Sequence, residues 1–185
     1  MILVRIDGIV GDCNIKGFDK PDDNKYFTAD SFGFGVEREL AESGKGGTAD
    51  INIGVGELQE CTISKSMDSA SVWLARKAIS GSSCKEADIK FVQAITLDNN
   101  EMYNIVYLAY KLDNVFIKSW STSGDGDDRP TEDVALWYNK IAFCYFTSPD
   151  GKEFKYAGDC RWDQVKAKPW TEAVLPKDAE KHKAN

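Results

Sequence analysis

Apolar and polar positions alternate with a period of two along most of this chain. Ile2, Val4 and Ile6 interleave with Leu3 and Arg5, a strand pattern over residues 2–9 that Gly8 and Gly11 interrupt. Residues 14–24 are polar and carry Gly17, Pro21 and the Asp22-Asp23 pair, which is loop chemistry. Alternation resumes over 25–39, with Phe27, Ala29, Ser31 and Gly33 on one face and Tyr26, Thr28, Asp30, Phe32 and Phe34 on the other. Residues 53–65 form a further strand, Leu58, Thr62 and Ser64 facing one way and Cys61 and Ile63 the other. The second half repeats the pattern over 87–97, 102–118, 134–146 and 153–157. Turn signals at Asp98-Asn-Asn100 and Asp150-Gly151, and a Gly/Asp/Ser loop over 119–129, separate these strands.

Only residues 68–80 have helical spacing. Ser66 or Asp68 is placed to cap the first turn, and Gly81 stands where a helix-ending glycine belongs. Val72, Ala75 and Ile79 recur on one side with Trp73 beside them, and Arg76 and Lys77 lie opposite. This stripe predicts an amphipathic helix lying on a sheet by its Val72, Ala75 and Ile79 side. Many strands, one helix and no βαβ rhythm predict a mainly β protein: an antiparallel two-sheet β-barrel or sandwich with one flanking α-helix. Its core is expected within residues 1–165. Residues 166–185, rich in Pro, Lys and Glu, read as a peripheral or partly disordered tail.

Composition narrows the function. The 185 residues fit one domain, and 42% hydrophobic residues supply a core. A net charge of −7 repels phosphate and argues against nucleic acid. No apolar run approaches the roughly 18 residues of a membrane helix, and the short run Ile2–Val4 is not a signal peptide. The five cysteines, Cys13, Cys61, Cys84, Cys144 and Cys160, form no CxxC pair and are expected as reduced thiols, with Cys61 and Cys144 in the core. The single histidine, His182, sits in the tail, where it is expected to be too loosely held for a Ser-His-Asp or Cys-His site.

The remaining candidate chemistry is weak. Asp125 and Asp127 alternate as calcium ligands do, but Glu132 follows too soon for an EF-hand and strands flank the loop. Asp19, Asp22 and Asp23 have no ligand spacing. The glycine-rich stretch from Gly44 to Gly47 lacks the order of a phosphate-binding loop and reads as a flexible arm. Tyr103, Tyr107, Tyr110, Trp120, Trp137, Tyr138 and Tyr145 lie on predicted strands, where core packing is favoured over a sugar platform. No catalytic, cofactor or metal residues are assigned. A β-barrel hydrolase and a calcium- or carbohydrate-binding module stay open as alternatives.

Five short motifs, in order along residues 1–165, resemble the haemolysin-coregulated protein (Hcp) family. They are Ile6-Asp-Gly-Ile-Val-Gly11, Ala29-Asp-Ser-Phe-Gly-Phe-Gly-Val36 and Ile63-Ser-Lys-Ser-Met-Asp-Ser-Ala-Ser71, then the long segment from Ser119 through Pro130-Thr-Glu132 to Trp137-Tyr-Asn-Lys-Ile-Ala-Phe143, and last Gly158 with Trp162-Asp163. The sequence departs from the family at Asn24-Lys-Tyr-Phe27 and in the length of its tail. The resemblance implies a structural, non-enzymatic subunit of the type VI secretion tube. Six copies would form a ring, and rings would stack and carry effectors in the lumen. It further implies sheath, spike and effector proteins as partners, with no cofactor. The chain would be cytoplasmic before assembly and then secreted without a signal peptide. By the same resemblance, residues 37–52 correspond to an extended loop that reaches a neighbour, with Glu39, Lys45, Gly46, Gly47 and Thr48 as its contact residues.

Overall fold

The computed structural model describes residues 1–19, 25–38, 40–41, 52–53, 56–98 and 100–184. The first half contains β1 (Ile2–Ile6), β2 (Phe27–Ala29), β3 (Ser31–Gly33), β4 (Val36–Glu37), β5 (Leu40–Ala41), β6 (Asn52–Ile53), β7 (Glu57–Leu58), β8 (Cys61–Ser66) and the helix α1 (Ser71–Ser80). The second half contains β9 (Cys84–Thr96), β10 (Met102–Ser123), β11 (Thr131–Thr147), β12 (Lys155–Asp163) and β13 (Lys181–Lys183). Among the described residues no helix is long and apolar enough to cross a membrane.

The main sheet runs β2-β1-β9-β10-β11-β8-β3, every pair antiparallel. Its two ends are halves of one strand that bends at Asp30, whose N–H donates to the Ser64 carbonyl at 2.9 Å. The sheet therefore closes into a barrel, which removes the exposed edges of an open sheet. Alternate residues point inward: Val4 and Ile6, Ala87 and Ile89, Leu136 and Tyr138, Cys61 and Ile63 are all buried in one core, joined by Leu112 and Val115 on either side of the break in alternation at Asn114, φ 53°. Where β3 meets β8 the chains pass closely, and a Cβ on Gly33 would lie 2.6 Å from Thr62 Oγ1.

The outward face of the same strands carries a ladder of cross-strand ion pairs. Arg5 on β1 pairs with Asp88 and Glu86 on β9, Lys111 on β10 reaches Glu86 at 3.1 Å, and Lys140 on β11 reaches Asp113 at 2.9 Å.

β9, β10 and β11 outrun the barrel. β11 pairs with β8 over 131–136 and then with β12 over 140–147. β10 runs on to Ser123, so the loop expected over 119–129 starts later. The segment beyond 165 was expected to be peripheral, yet where described it is a strap packed on the sheet. Trp170 and Ala173 are buried against Ala142. Leu175 and Ala179 pack on a second cluster that holds Phe18, Val92, Val106 and Cys144. β13 then pairs with Tyr103–Ile105 of β10, and Lys90 holds Glu180 at 2.6 Å. His182, expected to be loosely held, lies in β13 with its ring 4.6 Å from that of Phe18. Scattered apolar residues, rather than a periodic run, hold this strap.

Candidate assembly surfaces

Lys65 follows Cys61 and Ile63 in strand alternation, so its side chain enters the barrel. It is 1% exposed. Its ammonium donates to Glu132 Oε1 at 2.7 Å and to the Ser66 carbonyl at 2.8 Å, and it pairs with Asp68 Oδ1 at 2.8 Å. Glu132 is also buried: its Oε1 accepts from Ser71 Oγ at 2.9 Å and its Oε2 from Trp120 Nε1 at 2.7 Å. One cation thus faces two carboxylates, and the neutral donors Ser71 and Trp120, with the Ala70 N–H on Asp68 Oδ1 at 2.8 Å, share the excess negative charge. Removing charges from water is expensive, and only such complete pairing offsets it. Two of the motifs behind the resemblance, from Ile63 to Ser71 and around Glu132, meet in this network.

The network sets the helix. Ser71 must face Glu132, so Ala70, Leu74 and Ala78 turn into the core and α1 covers one mouth of the barrel as it crosses from β8 to β9. Asp68 accepts one residue outside the helix, with Ala70 rather than Ser66 or Asp68 at the capping position. Gly81 ends the helix as expected, at φ 65° with its N–H on the Lys77 carbonyl. The Val72 and Ile79 side, expected to lie on the sheet, faces outward instead, with those two residues 61% and 88% exposed. The helix sequence has two apolar stripes, and the buried hydrogen bond from Ser71 selects between them. The outward stripe, with Met67 and Trp120, forms an open groove of about 460 Å³.

The opposite mouth is closed by rings. Phe32 packs on Phe91 at 5.8 Å and on Tyr110 at 4.9 Å, Tyr110 on Phe143 at 5.0 Å, and Phe34 on Phe143 at 6.4 Å. Tyr107 and Tyr145 extend the cluster outward, with Tyr145 46% exposed. Tyr138 is buried and donates to the Gln59 carbonyl at 2.8 Å. The predicted core role thus fits Tyr138 well and Tyr145 poorly.

A two-stranded arm leaves from this mouth. Val36 pairs with Leu58 and Glu37 with Glu57, then Leu40 with Ile53 and Ala41 with Asn52. Among the described residues no other strand joins either small ladder. The expected contact residues Glu39, Lys45, Gly46, Gly47 and Thr48 lie outside the described residues.

Burial pushes the Cys61 thiol up to about 12 and that of Cys144 to about 11, far from the thiolate a nucleophile needs. Asp125 Oδ1 accepts the Asp127 N–H at 3.1 Å, which is a turn bond. Among the described residues, no three His, Cys, Asp or Glu side chains converge as metal ligands.

A search of curated protein sequences finds no match. Solved structures share the fold. The chain is similar to a structure described as a type six secretion system protein, at 23% identity and TM-score 0.69, with 90% of this chain and 97% of that one covered. It is similar to a type VI secretion system effector from Yersinia pestis at 16% identity and TM-score 0.61, covering 88% and 99%. It is also similar to Hcp1 from Salmonella typhimurium at 18% identity and TM-score 0.60, covering 91% and 97%. Residues 3–145, from the first strand of the barrel through the Lys65 network and most of β11, match the family described as "Type VI secretion system effector, Hcp", so this chain belongs to the Hcp family.

Proposed function

We propose that this chain is the ring-forming subunit of a type VI secretion tube. Six copies close into a ring, rings stack, and the tube is secreted with effectors in its lumen, driven by sheath and spike proteins. The subunit folds in the cytoplasm and is then secreted by the type VI system. It acts through shape and assembly.

One observation carries this reading beyond family membership. The barrel has closed its sheet, yet it extends an arm whose two small ladders are joined by no further strand among the described residues. An edge of this kind is a ready template for pairing with another chain. A ring also needs a heterologous contact, in which one face meets a different face of the next copy, and a barrel with two unlike mouths supplies unlike faces. In this reading Glu39, Lys45, Gly46, Gly47 and Thr48 make the contact between subunits or rings.

Size-exclusion chromatography with light scattering, run over a range of concentrations, tests it. A species of six times the 20.6 kDa protomer mass is expected. Deleting residues 44–48 is expected to shorten stacks seen by negative-stain microscopy while the melting temperature stays unchanged. A protomer that remains single at every concentration would overturn the ring, and a deletion variant with normal stacks would overturn the role of the arm.

A further inference from the structure

We propose that the strap over residues 168–184 is an exchangeable clasp, with which each copy of the chain seats itself on the sheet of a neighbouring copy. The fold shows what that face of the sheet takes. Trp170 and Ala173 sit on Ala142, Leu175 and Ala179 on the cluster with Val106 and Cys144, and β13 on β10. Lys140 lies 5.2 Å over the Trp170 ring, Arg161 Nη1 donates to the Ala173 carbonyl at 2.9 Å, and Val106 donates its N–H to the Glu180 carbonyl at 3.0 Å. Each contact joins strap to sheet, and a sheet accepts it equally from its own chain or from a second copy.

The hinge favours the exchange. Gln164 is fixed by its N–H on the Asn139 carbonyl at 3.1 Å, and Lys168 pairs with Asp163 in both directions, at 2.8 and 3.2 Å. The exposed residues Val165, Lys166 and Ala167 therefore make the whole reversal. The strain falls on Ala167, at φ 48°, in the left-handed region that a β-carbon disfavours. Pro169 biases Lys168 toward an extended backbone, so the turn does not spread forward. Extending residues 165–167 relieves the strain and gives up one bond, from the Lys166 N–H to Asp163 Oδ1 at 3.0 Å. The pairing of Asp163 with Lys168 re-forms between copies. A short strained hinge is the condition under which exchange competes with closure.

The middle of the strap is lightly seated. Among the described residues the backbone of 174–179 makes no hydrogen bond, and cavities of about 470 and 300 Å³ flank Val174, Leu175 and Pro176. The firm ties are at the ends, with Arg161 and the Trp170 contact at one and Lys90 and β13 at the other. Three extended hinge residues span at most about 10 Å, so the receiving copy must touch the donor. A ring gives every copy such a neighbour, and straps passed one way round it would all be seated. That use of the clasp rests on the tube reading; the exchange itself needs only two copies in contact.

Zero-length carbodiimide coupling reads the exchange, because Lys90 Nζ lies 2.6 Å from the Glu180 carboxylate. Equal amounts of the full chain with natural and with heavy nitrogen are refolded together at several concentrations, coupled, and analysed as peptides by mass spectrometry. Mixed-label Lys90–Glu180 pairs are expected to rise with concentration toward about half of the total. Lys111–Glu86 pairs, 3.1 Å apart within the barrel, are expected to stay same-label and serve as the control. Ala167→Gly removes the strain of the closed turn and is expected to lower the exchange constant about fivefold. Ala167→Pro, whose ring forbids that turn, is expected to raise it, and the glycine variant decides if the proline variant does not fold. Lys90–Glu180 pairs that stay same-label at every concentration would overturn the inference, and so would an exchange constant that Ala167→Gly leaves unchanged. Same-label pairs beside a sixfold mass would sink the clasp and leave the tube reading standing. Mixed pairs without that mass would do the reverse.

Discussion

At the α1 mouth of the barrel, Lys65, Asp68, Ser71, Trp120 and Glu132 are joined by short directional bonds around a fully buried ammonium. At the other mouth, Phe32, Phe34, Phe91, Tyr110 and Phe143 touch through ring edges and tilted faces, with centroids 4.9 to 6.4 Å apart. The ionic end is all or nothing, because removing one member leaves an unmatched charge in the dark. The aromatic end is dispersive, and each contact is small and replaceable. The rigid end positions a groove, and the tolerant end carries the arm.

The sharpest test of this contrast is Lys65→Met. It leaves Glu132 and Asp68 buried without a cation, and a loss of about 3–5 kcal/mol in urea unfolding is expected. The double variant Lys65→Met with Glu132→Met is expected to recover part of that loss, since an apolar pair needs no counter-charge. Next comes Leu74→Ala, which opens a cavity under α1 and is expected to cost about 2–5 kcal/mol. Ile79→Ala, five residues on but facing outward, should stay within about 0.5 kcal/mol by the same measurement. At the aromatic end Phe143→Leu is expected to cost under about 1.5 kcal/mol, because neighbouring rings can settle into the gap. Equal losses for Lys65→Met and Phe143→Leu would remove the distinction between the ends.

The smallest effect lies beyond both mouths, in the turn between β11 and β12. The backbone N–H groups of Glu153 and Lys152 lower the Asp150 carboxyl from 3.8 to about 2. A depressed acid stabilises the fold above its unfolded value and loses that contribution as pH falls through the folded one. The stability gap between the wild type and Asp150→Asn is therefore expected to close between pH 4 and 2, as followed by thermal melts across that range.

Much of the barrel was legible in the sequence because a half-buried strand writes its two faces as alternation. The same parity that puts Cys61 and Ile63 inward puts Lys65 inward as well, so the strand pattern itself encodes a buried lysine. The face of α1 was not legible. The helix carries Leu74 and Ala78 on one stripe and Val72 and Ile79 on another, and the choice between them rests on Ser71 meeting Glu132, sixty-one positions away. The strap was missed for a related reason. Trp170, Ala173 and Leu175 have no period, and their partners Ala142 and Val106 lie on distant strands. The motifs of the family resemblance contain Lys65, Asp68, Ser71, Trp120 and Glu132 without saying that these side chains meet.

The bent strand from Phe27 to Gly33 gives the barrel a single seam. Three residue pairs stitch it to β1, three to β8, and one amide at Asp30 spans the fold between them. Every other wall of the barrel is a longer run of pairing or is backed by the strap or the helix. Unzipping should therefore begin there. The amide protons of Phe27 to Gly33 are expected to exchange with solvent well before those of β10 and β11, through a local opening that leaves the rest of the cylinder standing.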